Sequence, residues 1–367
     1  MEIEKKTTSL GKSILVPSVQ ELAKGSLKEI PDRYVQLNQD APILGANDVE
    51  DDELSHLNDY CVPIINMETL ISGDGLELEK LHLACQVWGF FQLINHGIDT
   101  SLVEKFKCET QEFFNLPIEE KKRYWQTSTE VEGFGQAFVV SVEQKLDWAD
   151  IFFLTTLPIH LRKPNLFPML PLPYRDVLEN YSIQLQNIAM KLLDYLSKAL
   201  KIDPKIMREM FGDDHGTQSL RMNYYPPCPE PKKVIGLTPH SDAVALTILL
   251  QFNQVEGLQI KKDGKWVSIN PLPNSFVVNI GDILEIMSNG IYKSVLHRAV
   301  VNATKERISV AAFHNPAFHK EIGPILTDTT PARFRRISVT EYFNGVFTRA
   351  LDGKSYLDFM RIKQNDS

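Results

Sequence analysis

The stretch LTPHSDAVALTILLQ, residues 237–251, places a histidine and an aspartate two positions apart in an apolar segment. Side chains two apart in a strand point to the same face, so His240 and Asp242 are predicted to project together. A second histidine, His297, follows in another strand-like segment, SVLHRAV. Two imidazoles and one carboxylate can bind Fe(II) and leave coordination positions open. Zinc accepts the same three donors.

Two more strand segments carry polar side chains in pairs. Arg307 and Ser309 alternate in ERIS, and Asn223 and Tyr225 alternate in MNYYPP. Unpaired polar groups cost about 1–3 kcal/mol each when buried, and an unpaired arginine costs more. These strands are expected to line the interior of a barrel. A group bound inside it must therefore supply hydrogen-bond partners for these side chains. A guanidinium binds a carboxylate through two hydrogen bonds and stays charged, so Arg307 and Ser309 predict a site for a carboxylate.

Other titratable residues fit structural roles. A His-x-Asp pair in a strand is usually structural when it stands alone. Here His297 supplies a third ligand, and Arg307 with Ser309 supplies a carboxylate site, so the pair is predicted to bind a metal. His96 precedes a glycine in a turn and is predicted to be structural. His314 and His319 are predicted to lie in a loop or at the rim. Asp282 follows Gly281 at a bend, where capping of the turn is expected.

The elements that must position these residues begin after about residue 217, where short strands and turns alternate. GLQIKKDGKWVSI predicts a hairpin with its turn at Asp263-Gly264. SFVVNIGDILEIMSNG predicts a strand, a turn at 281–282, more strand and an Asn-Gly turn. Many short strands at regular spacing predict a sandwich or a jelly-roll barrel.

Helical periodicity surrounds this strand-rich region. The fold class expected is α+β, with a double-stranded β-helix (jelly-roll) core flanked by helices and preceded by an α/β region. Predicted outside the barrel are a short helix in VPSVQELAKG, a strand at 62–71, a helix at 76–90, a strand at 89–98, and helices at 100–116, 172–203 and 339–362. The expected divisions are an extension at 1–55, an N-terminal region at 56–165, a long-helix region at 166–216, the jelly roll at 217–320 and a helical region at 321–367.

Composition excludes several function classes. The chain has 367 residues and is 43% hydrophobic, enough for a sizeable core. A net charge of −8 disfavours nucleic acid and anionic membranes as partners, because both attract Lys and Arg. The four cysteines form no CxxC motif, so neither a disulfide framework nor a thiolate zinc site is expected. Without a signal peptide or a long apolar run, the expectation is a cytoplasmic protein that needs no membrane. Nothing in the sequence demands more than a monomer, so a monomer is expected.

Several motifs together resemble those of the plant 2-oxoglutarate- and Fe(II)-dependent dioxygenases. The resemblance runs from about residue 60 to 362, and its specificity comes from the order and spacing of the motifs. The motifs are WGFFQLINHGI, FFNLPIEEKKRY, MNYYPPCP, GLTPHSD, LTILLQ, VVNIGDILEIMSNGIYKSVLHRAVVN and ERIS. The segments VEGFGQAF, LDWADIFFLTTLPIHLRKPNLF and LDGKSYLDFMRI are similar to the senescence-related branch, close to the alkaloid O-demethylases.

The resemblance implies roles for the residues singled out above. His240, Asp242 and His297 would bind Fe(II). O2 would be the second co-substrate, and ascorbate would support the reaction. The residues that would hold 2-oxoglutarate are Arg307 and Ser309, at its distal carboxylate, with Tyr225 and Asn223.

Substrate contacts are predicted from two sources. The strand parity that turns Arg307 and Ser309 inward also turns Phe313 and Asn315 inward, and Phe313 suits stacking on an aromatic substrate. Phe134 and Phe138, in VEGFGQAF, are implied by the resemblance as lid or wall residues.

Departures from the family's pattern bear on the substrate. Asn66 stands where the family's first strand has Asp, which leaves the iron centre untouched. Val244 and Ala245 stand beside the metal ligands, where relatives carry small or hydroxyl residues. Val244 is expected to narrow the pocket on that side.

The expected function is oxidation of a small aromatic specialised metabolite, such as an alkaloid, by hydroxylation or O-demethylation with release of succinate and CO2. The alternatives are a hydroxylase or desaturase of a hormone or flavonoid, and a binding or condensing protein that uses the same pocket without oxidation. The intact ligand set and carboxylate site favour the enzyme.

Overall fold

The computed structural model describes residues 13–25, 27, 29–36, 42–43, 61–128, 130–136, 139–212, 216–325, 330–348 and 353–363. Phe138 and most of the predicted extension lie outside these ranges. The helices are α1 Val19–Lys24, α2 Met67–Ile71, α3 Gly75–Leu83, α4 Thr100–Asn115, α5 Ile118–Lys121, α6 Leu172–Leu200, α7 Pro204–Phe211, α8 Asp282–Met287, α9 Val339–Phe347 and α10 Ser355–Met360. The strands are β1 Pro42–Ile43, β2 Ile64–Asn66, β3 Phe90–Ile94, β4 Gly133–Gly135, β5 Asp150–Leu157, β6 Thr217–Tyr225, β7 Leu237–His240, β8 Leu246–Gln251, β9 Leu258–Lys262, β10 Lys265–Ser268, β11 Phe276–Ile280, β12 His297–Ala299, β13 Arg307–Asn315, β14 Glu321–Ile322 and β15 Ile337–Ser338.

Two β-sheets enclose the interior that the sequence predicts. The larger has the order β2-β3-β11-β8-β13-β6-β5-β4, and the smaller has the order β1-β10-β9-β12-β7. One internal cavity is lined from both sheets, by Asn223 and Arg307 on one side and by His240 and His297 on the other. The expected α+β fold with a jelly-roll core is confirmed. Because β2 and β3 belong to the same sheet as the barrel strands, the division near residue 217 stays a prediction.

Helix α6 supports the larger sheet from outside. Its apolar positions recur every three or four residues, and Leu178, Leu185 and Leu192 are buried in the main core. Its Tyr181 stacks on Phe106 of α4, with ring centroids 4.0 Å apart. This amphipathic face is the one the sequence predicted, and it holds the sheet that carries β6 and β13.

The described residues between 13 and 36 pack against the barrel in a second buried cluster. Val19 and Tyr34 share a buried cluster with Trp148 and Tyr225. The short helix predicted in VPSVQELAKG is confirmed as α1, and Asp150 accepts hydrogen bonds from the Val19 and Gln20 amides at 2.8 and 3.0 Å. The N-terminal segment thus covers the side of the core next to Tyr225.

Several local predictions are confirmed and several are wrong. The hairpin turn at Asp263-Gly264 is present, with φ of 48° and 80°. The turn and strand predicted after Gly281 are wrong, because Asp282–Met287 form α8. The strand at 62–71 is half right: from Met67 the chain is helical, since the Asn66 side chain accepts from the Glu68 and Thr69 amides. Ile283, Leu284, Ile286 and Met287 are all buried, and a helix buried on every side shows no periodicity that separates it from a strand.

Two further findings concern sequence-based expectations. All four cysteines are free, with Cys85 and Cys228 buried and Cys61 and Cys108 exposed. Within the described residues, no helix is both long enough and apolar enough to cross a membrane.

Candidate metal centre and substrate cavity

His240, Asp242 and His297 converge at one buried point. The Nε2 atoms of His240 and His297 lie 3.5 and 3.6 Å from Oδ1 of Asp242. One potential ligand atom from each of the three lies within 4.8 Å of the other two. His240 ends β7, and β12 pairs His297 directly opposite it. Asp242 lies two residues beyond His240, past the end of β7, so the shared strand face predicted for the pair is wrong although their convergence is observed.

Backbone carbonyls set the tautomer of both imidazoles. Nδ1 of His240 lies 2.8 Å from the Thr238 carbonyl oxygen, and Nδ1 of His297 lies 3.2 Å from the Val295 carbonyl oxygen. A carbonyl only accepts, so each Nδ1 carries the hydrogen and each Nε2 presents a lone pair. Burial, helped by the nearby His240, lowers the pKa of His297 to about 4, so this imidazole is neutral at neutral pH.

Two donors hold the Asp242 carboxylate from the side away from the histidines. Oδ2 accepts the Thr247 hydroxyl at 2.6 Å and the Asn279 amide at 2.8 Å. Burial by itself would raise the pKa of Asp242, but the two histidines and Asn279 together lower it well below its usual value. The carboxylate is therefore ionised, and Oδ1 remains directed at the imidazoles.

This arrangement fits a divalent cation. With both imidazoles in these tautomers, two nitrogen donor atoms and one carboxylate oxygen converge on one point. A divalent cation at that point would be bound by all three. Two histidines and one carboxylate suit Fe(II), and they leave other coordination positions open for further ligands.

The second polar site lies on the larger sheet. Arg307 is 2% exposed, and its Nη1 donates to Ser309 Oγ at 3.3 Å. Its Nε and Nη2 donate to Gln251 Oε1 at 3.2 and 2.8 Å, and its guanidinium lies 5.2 Å from the Tyr225 ring centroid. Both acceptors are neutral, and among the described residues no carboxylate pairs with Arg307. A buried, uncompensated positive charge suits an anionic ligand.

Asn223 and Tyr225 line the same internal cavity as Arg307 and the three potential metal ligands. Strand pairing places Tyr225 opposite Arg307 and Asn223 opposite Ser309. Oδ1 of Asn223 is buried without a partner, and burial raises the pKa of the Tyr225 hydroxyl, which therefore stays protonated and can donate. The structure thus brings together all seven residues predicted for the metal and for 2-oxoglutarate.

A larger cavity of about 230 Å³ opens onto the potential metal ligands His240 and Asp242. Phe313 lines it, with its ring centroid 6.4 Å from that of Phe153, and Asn315 lines it while accepting from the Ala245 amide at 3.3 Å. Val244 also lines the wall. Further lining residues that the sequence did not single out are Glu132, Lys163, Arg221, Phe343 and Phe347.

Arg221 lies at the junction of the two cavities and lines both. Its Nε atom is buried without a hydrogen-bond partner, and among the described residues no carboxylate lies within ion-pair distance of it. Sequence reasoning missed this residue although the signal was present: Arg221, Asn223 and Tyr225 alternate along β6, so the same parity turns all three inward.

Three predicted positions differ in the structure. Phe134 does not line either cavity, because β4 pairs it opposite Phe152 and its fully buried ring packs with Phe113 and Phe114. His314, predicted in a loop or at the rim, is a buried residue of β13 whose Nδ1 lies 3.0 Å from Gln186 Oε1. Asp282 caps no turn: its Oδ2 accepts from the Ser241 hydroxyl at 3.2 Å, and burial raises the pKa of its carboxyl to about 7.

The remaining predicted structural residues behave as expected. His96 accepts the Ile98 amide hydrogen at 3.2 Å and packs on Phe276, with ring centroids 4.3 Å apart. His319 is exposed at the protein surface.

A jelly roll with two imidazoles, one carboxylate and a buried arginine facing a shared cavity defines a non-haem, metal-dependent oxygenase. The sequence matches the 2OG-Fe(II) oxygenase superfamily over residues 216–316 and the family described as non-haem dioxygenase in morphine synthesis N-terminal over residues 62–169. The chain belongs to the 2OG-Fe(II) oxygenase superfamily and is a 2-oxoglutarate-dependent dioxygenase, as the sequence resemblance implied.

Relatives with assigned names are similar over nearly their whole length. Protein SRG1 of Arabidopsis thaliana is 55% identical, covering 98% of this chain and 100% of the relative. Thebaine 6-O-demethylase of Papaver somniferum is 53% identical, covering 97% of this chain and 99% of the relative. Oxoglutarate-dependent flavonoid 7-O-demethylase 1 of Ocimum basilicum is 52% identical, covering 97% of this chain and 93% of the relative. These matches confirm the branch that the sequence motifs suggested.

A solved structure has the same fold. The crystal structure of JOX2 in complex with 2OG, Fe and JA superposes with a TM-score of 0.84 at 34% sequence identity, covering 95% of this chain and 98% of that one. Fe(II) and 2-oxoglutarate are accordingly the cofactor and co-substrate of this family of enzymes.

Proposed function

We propose that this dioxygenase oxidises a small, largely aromatic, O-methylated specialised metabolite and removes the methyl group. The observation that carries the proposal is the cavity lined by Phe153, Phe313, Phe343 and Phe347, which opens directly onto His240 and Asp242. Aromatic walls bind flat ring systems through edge-to-face and offset contacts. The two O-demethylases named above act on an alkaloid and a flavonoid, and both substrate classes are aromatic.

We assign the metal to His240, Asp242 and His297. The two Nε2 lone pairs and Oδ1 of Asp242 would hold Fe(II), while Thr247 and Asn279 keep the carboxylate turned toward it. Bound Fe(II) supplies the coupling of O2 reduction and 2-oxoglutarate decarboxylation to oxidation of the substrate.

The co-substrate is assigned to the cavity beside the metal. The Arg307 guanidinium and the Ser309 hydroxyl would hold the distal carboxylate of 2-oxoglutarate, and the Tyr225 hydroxyl would donate to the same molecule. The neutral Gln251 fixes the guanidinium plane without cancelling its charge. A buried, preorganised cavity keeps such interactions strong.

Arg221 orients the substrate in this proposal. Its guanidinium, with Nε buried and without a hydrogen-bond partner, lies where the substrate cavity meets the co-substrate cavity, so it would donate to a carbonyl, phenolate or carboxylate oxygen of the substrate. The same observation favours a second candidate: hydroxylation of a small carboxylic acid, whose anionic group would satisfy Arg221 fully.

The test is a substrate panel of methoxylated alkaloids, methoxylated flavonoids, phenylpropanoids and small carboxylic acids. Demethylation converts the methyl ether, O2 and 2-oxoglutarate into a phenol or alcohol, formaldehyde, succinate and CO2. We expect succinate and formaldehyde in equal amounts from a methoxylated member. Succinate with a product heavier by one oxygen from a carboxylic acid would instead establish the second candidate.

The control variants test the site itself. Asp242→Ala is expected to abolish coupled turnover, whereas Asp176→Ala, an exposed position on α6, is expected to leave it unchanged. Retained coupled activity in Asp242→Ala would overturn the metal assignment.

The expected monomeric state, the cytoplasmic location and the expected lack of membrane and nucleic-acid partners stay predictions.

A further inference from the structure

Strand β7, which ends at the metal ligand His240, is the last strand of the smaller sheet. It pairs with β12 on one side. On the other side Gly353 bridges its end, donating its amide to the Pro239 carbonyl at 3.3 Å and accepting the Ser241 amide at 3.2 Å. Backbone groups of that edge which no strand pairs need other partners to hold them. Because His240 ends this strand and Asp242 follows it, the position of the edge decides where two potential metal ligands point.

Asp147 binds the same edge at Thr238, two residues before His240. Its Oδ1 accepts hydrogen bonds from the backbone amide of Thr238 at 3.0 Å and from the hydroxyl of the same residue at 2.6 Å. The segment around Asp147 is itself fixed, because the Leu146 amide donates to the Arg33 carbonyl and the Trp148 amide to the Ile235 carbonyl, at 2.8 and 2.7 Å. Backbone hydrogen bonds therefore hold the chain on both sides of Asp147.

The residue that Asp147 holds is also the one that orients His240. The carbonyl of Thr238 accepts the Nδ1 hydrogen of His240 at 2.8 Å, which leaves Nε2 free to bind metal. The next residue, Pro239, has no amide hydrogen, so Thr238 offers the last edge amide before the ligand. A shift of Thr238 would move the carbonyl that fixes both the tautomer and the ring plane of His240.

We propose that Asp147 is a positioning residue for the metal ligand His240, acting through Thr238. This inference rests on the proposed metal site. It gives a role to the LDWAD segment, residues 146–150, that the resemblance alone did not supply. The other aspartate of that segment, Asp150, accepts from the Ser18 hydroxyl and from the Val19 and Gln20 amides, and so holds α1 instead.

The two aspartates provide a matched experiment. The metal-free full chain is titrated with Co(II), and the visible absorption of bound Co(II) gives both affinity and ligand geometry. Asp147→Ala is expected to weaken Co(II) binding about 10-fold or more and to change the spectrum, the usual cost of losing an outer partner of a ligand. Asp147→Asn keeps an accepting oxygen and is expected to restore both. Asp150→Ala is expected to lower stability to urea with Co(II) affinity unchanged.

Each outcome decides between structural and positioning roles. Unchanged affinity and spectrum in folded Asp147→Ala would overturn the proposal, as would an equal loss in Asp150→Ala. If Asp147→Ala does not fold, Thr238→Val removes only the hydroxyl donor and is expected to change the Co(II) spectrum; an unchanged spectrum would overturn the proposal.

His240→Ala separates this inference from the metal site on which it rests. If His240→Ala binds Co(II) as tightly as the unaltered chain, the metal assignment itself is wrong. If His240→Ala loses affinity while Asp147→Ala does not, only the positioning role is wrong.

Discussion

Thr247 of β8 donates its hydroxyl hydrogen to Oδ2 of Asp242 at 2.6 Å, and this contact decides which oxygen of the carboxylate faces the histidines. Asn279 of β11 occupies the same oxygen at 2.8 Å. Oδ1 is left to face the imidazoles, 3.5 Å from His240 Nε2 and 3.6 Å from His297 Nε2. The metal-facing geometry of Asp242 is therefore imposed by the larger sheet.

Replacing Thr247 by the isosteric valine should weaken metal binding. The Thr247→Val variant loses one of the two donors to Oδ2, so the carboxylate can rotate, and the expected loss of Mn(II) affinity is about 10-fold. Free Mn(II) is counted by its electron paramagnetic resonance signal. Thr155→Val, at a buried threonine of the substrate cavity, is the control and should bind Mn(II) normally. Equal affinities for the two variants would contradict the role given to Thr247.

Charging Gln251 should block the co-substrate. In Gln251→Glu a carboxylate would pair with Arg307 and cancel the charge that 2-oxoglutarate needs, so the KM for 2-oxoglutarate is expected to rise about 10-fold or more. Gln259→Glu is a matched control, because Gln259 accepts from the buried Arg298 in the same way, at 2.8 Å, away from the cavity. A normal KM in Gln251→Glu would show that the uncompensated charge of Arg307 is not what binds the co-substrate.

Phe313 and Phe134 should separate substrate binding from stability. Phe313→Ala removes an aromatic wall of the cavity, and the KM for an aromatic substrate should rise several-fold, since aromatic pairs contribute about 0.5–1.5 kcal/mol beyond area burial. Phe134→Ala should lower the free energy of unfolding by about 3–5 kcal/mol, the usual cost of emptying a buried aromatic site. Steady-state kinetics and urea unfolding measure the two. If Phe134→Ala instead raised the KM with unchanged stability, Phe134 would belong to the substrate site after all.

Acid should destabilise the fold partly through His314. Burial lowers the pKa of His314 to about 3, whereas the unfolded chain has a histidine pKa near 6.5. The buried neutral imidazole therefore contributes stability that is fully present above pH ~6.5 and is lost as the pH falls toward about 3. When the pH falls from 7 to 4.5, the free energy of unfolding should decrease in both proteins. The decrease in His314→Asn should be smaller than that in the unaltered chain by about 2 kcal/mol. Urea unfolding at the two pH values measures this difference, and His160→Asn, at an exposed histidine, should show no such difference.

Local sequence determined the chemical groups and the faces on which they lie. Alternation along β6 and β13 turned Asn223, Tyr225, Arg307 and Ser309 into the barrel, because side-chain direction in a strand depends only on parity. The same rule indicated Phe313 and Asn315. The periodicity of α6 and the Asp-Gly hairpin turn were equally local and equally predictable.

The tertiary structure decided everything that depends on residues far apart in the chain. Gln251 and Arg307, Thr247 and Asp242, and Asp147 and Thr238 meet only through sheet register and loop packing, which sequence parity does not specify. The helix at Asp282–Met287 and the core position of Phe134 have the same cause. An apolar run or a phenylalanine is equally compatible with wall, core, strand or helix until its neighbours are known, because burial is non-directional and hydrogen-bond partners are chosen by the fold.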